Sequence, residues 1–361
     1  MTRDNSLSQE GHTDLIKGIV ITMAAITATA AGPTAGVSAL PLAAQLTVTR
    51  NVEYSEAGGA PLLLDAYVPS GPELHPAMLV LHGGSWSSGD KDEMAPVGEL
   101  VANDGFAAFV VNYRLVPAGA FPAAVDDVRT AVRWIRTNAA RYGVDPTRIG
   151  AFGVSAGGHL ATMLATVGTG STDTGARIRV ALSWSGPQDL TTLPSSVVGA
   201  FVGCSIVACP ERWKAASPIS HVDRTDGAIL LANSTDELVP LSQAVEMAGA
   251  LRRNHVPTKL IRVPGTMHAS YYAARLRPDG KTVAQQTLAF ASKWLAAAAA
   301  TPSPIASPEV IGSANRIPSP SPQAQHARPA DGGGLPISLV VTGVIGLVRL
   351  GGLLLRSRGR R

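Results

Sequence analysis

Short apolar runs alternate with amphipathic segments from about Val48 to Leu295, and this alternation constrains the fold more than any other feature of the chain. Several runs are rich in β-branched residues, which suits strands that are covered on both faces. The intervening segments carry apolar side chains at helical spacing, as at Val125, Val128 and Val132. This order predicts a mainly parallel sheet with helices on both faces. We expect parallel strands in the runs 76–82, 106–113, 148–153, 179–185, 228–233 and 259–264, and an antiparallel edge pair at 45–53 and 61–68.

The N-terminal region differs from this domain in composition. Lys17 precedes an apolar stretch with the length of a signal-peptide core, and Ala28 and Ala30 offer a cleavage pattern. We interpret residues 1–44 as a signal peptide and leader. An uncleaved anchor, or a leader without an export function, is the alternative interpretation.

The C-terminal region also departs from the domain, which we place at residues 45–298. Pro, Ser, Ala and Gly dominate residues 299–334, as in a semi-extended linker. Residues 335–361 contain an apolar stretch long enough to cross a bilayer, followed by arginines. The sequence therefore predicts a C-terminal membrane segment with a basic cytoplasmic tail, and a domain that lies outside the cell.

Charge and cysteine usage narrow the possible partners. The formal net charge is +4, but five arginines fall within the last thirteen residues, so the rest of the chain is close to neutral. Such a balance offers no basic patch for nucleic acid. Cys204 and Cys209 have no histidine near them in sequence, so we predict a small disulfide loop in an exported domain and no metal site.

Two glycine-rich loops follow predicted strands. Ser155 in "GVSAG" lies between a strand and a helix, the context in which G-x-S-x-G exposes a nucleophilic serine on a sharp turn; a plain glycine turn is the alternative. Gly83 and Gly84 in "LHGGSW" can direct backbone N–H groups toward a carbonyl oxygen. Together with the N–H of Ala156 they would form an oxyanion hole.

Two later loops supply the partners that a nucleophilic serine needs. His268 follows the last predicted strand and is the candidate general base. Asp236 follows the preceding strand and is the candidate acid that orients the imidazole. Glu237 and Asp189 are its rivals; we expect Glu237 to point elsewhere, while Asp189 follows an earlier strand.

The chain resembles α/β-hydrolases of the esterase/lipase group that carry an HGG[GS]W loop, including carboxylesterases, acetyl- or feruloyl-esterase-like and kynurenine-formamidase-like enzymes. The resemblance rests on six segments in order: "HGGSW", "NYRL", "GVSAGGHLA", "SGPQDL", "DELVP" and "MH". It implies an α/β-hydrolase fold with a lid inserted at 191–220. Trp184, Tyr271 and Tyr272 are candidates to line the pocket.

The same resemblance implies a serine esterase with the triad Ser155, Asp236 and His268 and with no metal or other cofactor. Its substrate would be a small ester or an acylated polysaccharide. A formamidase or peptidase using the same triad is the nearest alternative, and a catalytically silent binding module is the alternative from another class.

Overall fold

The computed structural model of the chain describes residues 45–296. The predicted leader, linker and membrane segment lie outside these residues. Among residues 45–296, none of the helices combines the length and the apolar composition that a membrane crossing requires.

A single eight-stranded sheet runs through the domain in the order β1-β2-β4-β3-β5-β6-β7-β8. Neighbouring strands from β4 to β8 pair in parallel, whereas β1 and β2 form an antiparallel pair at one edge. The predicted mainly parallel sheet and its edge pair are therefore confirmed. The strands are β1 (Leu46–Ala57), β2 (Ala60–Pro69), β3 (His75–Leu81), β4 (Ala107–Val111), β5 (Val144–Val154), β6 (Val180–Trp184), β7 (Ala228–Ser234) and β8 (Thr258–Val263).

Seven α-helices belong to the described residues, and the longer ones cover the two faces of the sheet. They are α1 (Ala95–Asn103), α2 (Ala123–Thr137), α3 (Ala156–Thr166), α4 (Ser195–Val202), α5 (Pro210–Ala215), α6 (Leu241–Arg253) and α7 (Val283–Leu295). The predicted apolar stripe of α2 is buried, and the buried face of α6 includes Ala248 and Leu251. These helices are amphipathic because only one face meets the sheet.

The core is divided by the sheet into two clusters. Successive residues of a strand point to opposite faces, so Leu79 enters the cluster shared with α2, α3 and α6, whereas Val80 enters the cluster shared with α1 and α7. Burial on both faces explains why the central strands read as continuous apolar runs rather than as alternating patterns.

The carboxyl ends of the parallel strands lie at one edge of the sheet, where binding sites form in folds of this class. The segment 191–220, between β6 and β7, contains α4 and α5. A disulfide joins Cys204 and Cys209 in this segment, with Cα atoms 6.4 Å apart. The segment packs on the domain through the buried side chains of Phe201 and Trp213.

Candidate active site

Ser155 occupies a strained turn between β5 and α3. Its backbone has φ 53° and ψ −118°, in the positive-φ range that residues other than glycine seldom adopt. The Ser155 N–H donates to the carbonyl oxygen of Trp184 at 2.8 Å, which fastens the turn to the end of β6. This geometry is the strand–turn–helix arrangement that the G-x-S-x-G segment predicts.

The glycines around Ser155 are required by close backbone approach. A Cβ at Gly153 would lie 2.1 Å from the carbonyl oxygen of Gly157, on the far side of the turn. A Cβ at Gly157 would lie 2.3 Å from the Leu81 oxygen and 2.4 Å from the His82 oxygen. The turn therefore presses directly against the loop that follows β3, and no side chain fits at either position.

The loop after β3 brings backbone N–H groups to the serine. A Cβ at Gly83 would lie 3.3 Å from the Cβ of Ser155, so this stretch of backbone is next to the serine side chain. Within residues 45–296, the N–H groups of Gly83 and Gly84 donate no loop hydrogen bond to the protein. Ala156 is the first residue of α3, a position whose N–H has no intrahelical partner. All three donors are thus available to a bound oxygen.

The "NYRL" segment after β4 braces this loop. The Tyr113 hydroxyl donates to the carbonyl oxygen of His82 at 2.9 Å, and the two rings stack at 4.3 Å. Val116 N–H donates to the carbonyl oxygen of Trp86 at 2.8 Å. Burial lowers the pKa of His82, so its imidazole is neutral near pH 7 and orients the loop.

Glu237, and not Asp236, is the carboxylate that meets His268. The Oε2 atom of Glu237 is in hydrogen-bond contact with Nδ1 of His268. Its other oxygen, Oε1, accepts from Ser234 N–H at 2.7 Å and from the Ser185 hydroxyl at 2.8 Å. The Glu237 carboxylate is completely buried, whereas Asp236 is exposed. The prediction that Asp236 orients the imidazole is therefore wrong in this structure.

The turn after β7 explains why Glu237, and not Asp236, contacts His268. Thr235 N–H and Asp236 N–H donate to the carbonyl oxygens of Val263 and Gly265, so these two residues continue alongside β8. Glu237 then folds back, and its carboxylate receives the N–H of Ser234, three residues earlier. This turn leaves the Asp236 side chain exposed to solvent and buries the Glu237 side chain at the end of the sheet.

Asp189, the remaining rival carboxylate, and the buried His159 have other partners. Asp189 Oδ1 accepts from Thr191 N–H at 2.9 Å and thereby caps a short 3₁₀ helix. His159 is completely buried in α3, where its Nε2 lies 2.8 Å from the Ala216 oxygen and burial lowers its pKa to about 4. Its ring packs against Phe201 of the segment 191–220.

The structure links the serine and histidine loops through the end of β6. Ser155 N–H bonds to Trp184, and the next residue, Ser185, accepts through its hydroxyl from Ala269 N–H at 2.9 Å. Since Ala269 directly follows His268, the imidazole is held at the same end of the sheet as Ser155. Within the described residues, the hydrogen-bond partner of the His268 ring is Glu237, and the Ser155 hydroxyl makes no direct hydrogen bond to His268.

A pocket of about 280 Å³ opens beside Ser155 and Ala156. None of the described side chains that line it carries a charge, and most are apolar. The apolar lining comes from the loop after β3, the segment 191–220 and the loop after β7, and includes Trp86, Leu193, Pro194, Val197, Leu238 and Val239.

The aromatic residues expected to line the pocket lie elsewhere. Trp184 is buried, and its Nε1 donates to Thr287 at 3.1 Å. Tyr272 is also buried, whereas Tyr271 is largely exposed; none of the three lines the pocket. Among the described residues, the aromatic side chain that lines the pocket is Trp86, which stacks on Phe201 at 4.4 Å.

Residues 64–251 match the model of the family described as BD-FAE. Among curated proteins, the chain is similar to the probable carboxylic ester hydrolase LipM of Mycobacterium tuberculosis, with 28% identity over 54% of this chain and 49% of the relative. It is also similar to the esterase LipQ of the same organism, with 31% identity over 63% of this chain and 59% of the relative. The chain thus spans about half to three fifths of the length of these relatives.

Solved structures share the architecture. A truncated carbohydrate esterase from gut microbiota aligns with a TM-score of 0.55 and 26% identity, covering 62% of this chain and 90% of that chain. An acetyl ester-xyloside bifunctional hydrolase from Caldicellulosiruptor lactoaceticus aligns with a TM-score of 0.58 at 23% identity, which bears on the fold alone. Together with the sheet order, these similarities confirm the predicted α/β-hydrolase fold.

Proposed function

Because the chain belongs to the BD-FAE family, an esterase-type α/β-hydrolase family, we propose that it hydrolyses carboxylic esters with Ser155 as nucleophile, His268 as general base and Glu237 as the orienting acid. The observation that carries the proposal is the buried Glu237 carboxylate against His268 at the end of the sheet where Ser155 stands on its turn. Similarity to curated ester hydrolases agrees with this chemistry.

The reaction proceeds through an acyl-enzyme. Glu237 holds Nδ1 of His268, which leaves Nε2 to take the proton from Ser155 as its oxygen attacks the ester carbonyl. The oxyanion accepts hydrogen bonds from the N–H groups of Gly84 and Ala156, with Gly83 beside them. The imidazolium then gives its proton to the departing alcohol. Water repeats the sequence on the acyl-enzyme, releasing the carboxylic acid and the free serine.

The pocket favours small uncharged esters. A cavity of about 280 Å³ is slightly smaller than the usual range for ligand pockets. Its neutral lining offers no partner for a charged acyl or alcohol group next to Ser155. Short acyl chains therefore fit better than long or ionic ones, and an acetylated carbohydrate qualifies if its sugar remains outside the cavity.

The test is hydrolysis of p-nitrophenyl acetate, butyrate and octanoate by the full-length chain beside Ser155→Ala. Ser292→Ala, an exposed serine on α7, is the matched control. We expect Ser155→Ala to lower kcat by at least ~10³-fold, Ser292→Ala to keep full activity, and kcat/KM to fall from butyrate to octanoate. A folded protein whose turnover does not depend on Ser155 would refute the esterase proposal and direct attention to amide or formamide substrates.

The proposal includes export and membrane tethering. Its support is the signal-like leader, the C-terminal apolar stretch with its arginines, and the bonded pair Cys204 and Cys209, which suits an oxidising compartment. Protease treatment of intact cells should degrade the domain. A variant that ends at residue 334 should leave the membrane fraction; protection in intact cells, or unchanged membrane association of that variant, would refute this part.

A further inference from the structure

Ser185, the residue that directly follows β6, combines complete burial with a strained backbone. Its φ is 53°, a value close to that of Ser155, and none of its surface is exposed. A non-glycine residue at such a positive φ is strained and persists only where its surroundings fix it. Ala269, next to His268, is also at positive φ, with a value of 51°. The contacts of Ser185 show what fixes both residues.

The Ser185 hydroxyl has three neighbours and uses all of its hydrogen-bonding capacity on them. Glu237 Oε1 lies at 2.8 Å, Ala269 N at 2.9 Å and the Tyr272 hydroxyl at 3.0 Å. A carboxylate only accepts, so Glu237 takes the single hydroxyl proton. A backbone N–H only donates, so Ala269 occupies one lone pair. The second lone pair faces Tyr272, whose proton is shared with the Ala232 carbonyl oxygen at 2.8 Å.

We propose that Ser185 is a positioning residue for ester hydrolysis, because its hydroxyl orients the Glu237 carboxylate and holds the loop that carries His268. This inference rests on the function proposed above. Ser185 is not among the residues that line the pocket, so it acts through Glu237 and Ala269 rather than on the substrate.

Ser185→Ala and Ser185→Gly separate the hydroxyl from the backbone strain. Both remove the donor to Glu237 and the acceptor of Ala269 N–H, and only the Ser234 N–H remains on Glu237 Oε1. Glycine also relieves the positive φ. We expect kcat for p-nitrophenyl acetate to fall ~10- to 100-fold in both variants, with KM within about twofold of wild type because the pocket is untouched. The glycine variant should melt at the same temperature as the alanine variant or higher.

Controls distinguish this role from a structural one. His255→Gly relieves another positive φ, 60°, at an exposed position after α6, and should leave kcat unchanged. Combining Ser185→Ala with Glu237→Gln should lower kcat by less than about threefold beyond Glu237→Gln alone, since the hydroxyl acts through that carboxylate. Independent losses that multiply in the double variant would contradict the proposal.

The outcomes also separate this inference from the proposed function. If wild-type turnover does not depend on Ser155, the esterase proposal itself fails. If that turnover is Ser155-dependent but Ser185→Gly keeps kcat within twofold of wild type, the positioning role is refuted. A raised KM at unchanged kcat would likewise overturn it. Should Ser185→Ala fail to fold, the glycine variant carries the test.

Discussion

Exchanging Glu237 for glutamine should inactivate the protein by reversing the tautomer of His268. Two donors, Ser234 N–H at 2.7 Å and the Ser185 hydroxyl at 2.8 Å, point at the Oε1 position. The amide oxygen must therefore occupy that position, because an NH₂ group there would face donors. The NH₂ group then lies against Nδ1 of His268, where it can only donate.

An imidazole that accepts at Nδ1 carries its proton on Nε2 and cannot receive the proton of Ser155. The analogous acid-to-amide change in a serine protease lowers kcat by about 10⁴-fold, which corresponds to ~5.4 kcal/mol of transition-state stabilisation. We expect a loss of ~10³- to 10⁴-fold here. KM should stay within a few-fold, since Glu237 does not line the pocket.

Asp236→Asn is the matched control, because it removes the same charge one residue earlier from an exposed side chain. Its kcat should stay within about twofold of wild type. Steady-state hydrolysis of p-nitrophenyl acetate, with thermal melts to verify folding, measures both variants. If Glu237→Gln keeps more than a tenth of wild-type kcat, or Asp236→Asn loses as much as Glu237→Gln, the assignment of the acid is refuted.

Two further predictions concern stability. Burial raises the pKa of Asp226 to about 7, so between about pH 4 and pH 7 the folded state keeps a proton that the unfolded chain has released, and stability falls as the pH rises through this range. The free energy of unfolding of Asp226→Asn should therefore exceed that of wild type at pH 8 by at most ~4 kcal/mol and should equal it below pH 4. Urea unfolding at the two pH values measures this difference. An advantage equal at both pH values would contradict this. Tyr113→Phe removes the buried donor to the carbonyl oxygen of His82 and should lower the free energy of unfolding by ~1–3 kcal/mol and also lower kcat. The Tyr142 hydroxyl is buried and has no partner in the described structure, so Tyr142→Phe should be neutral or stabilising. Equal melting temperatures for the two variants would refute the role of Tyr113 in holding the loop after β3.

The sequence by itself determined the sheet and the turn that carries Ser155. Strands covered on both faces need continuous apolar residues, and the helices between them need one apolar face. The strands therefore leave uninterrupted apolar runs in the sequence, and the helices leave apolar residues at helical spacing. The positions of Gly153 and Gly157 can also be interpreted from the sequence, because their backbones approach other backbone atoms too closely for any side chain. These constraints act locally or repeat regularly, which is why residue patterns reveal them.

Only the tertiary structure decided which carboxylate serves His268. Asp236 and Glu237 are adjacent, both follow β7, and both carry the same charge, so local sequence does not separate them. The choice depends on the end of β8 and the loop after it, where Val263 and Gly265 accept the N–H groups of Thr235 and Asp236 while the Asp236 side chain stays exposed. It depends equally on Ser185, supplied by β6 from more than fifty residues away, whose hydroxyl binds Glu237. Contacts between distant segments leave no periodic signal in the chain, so the carboxylate that contacts His268 becomes visible only when the strands are assembled.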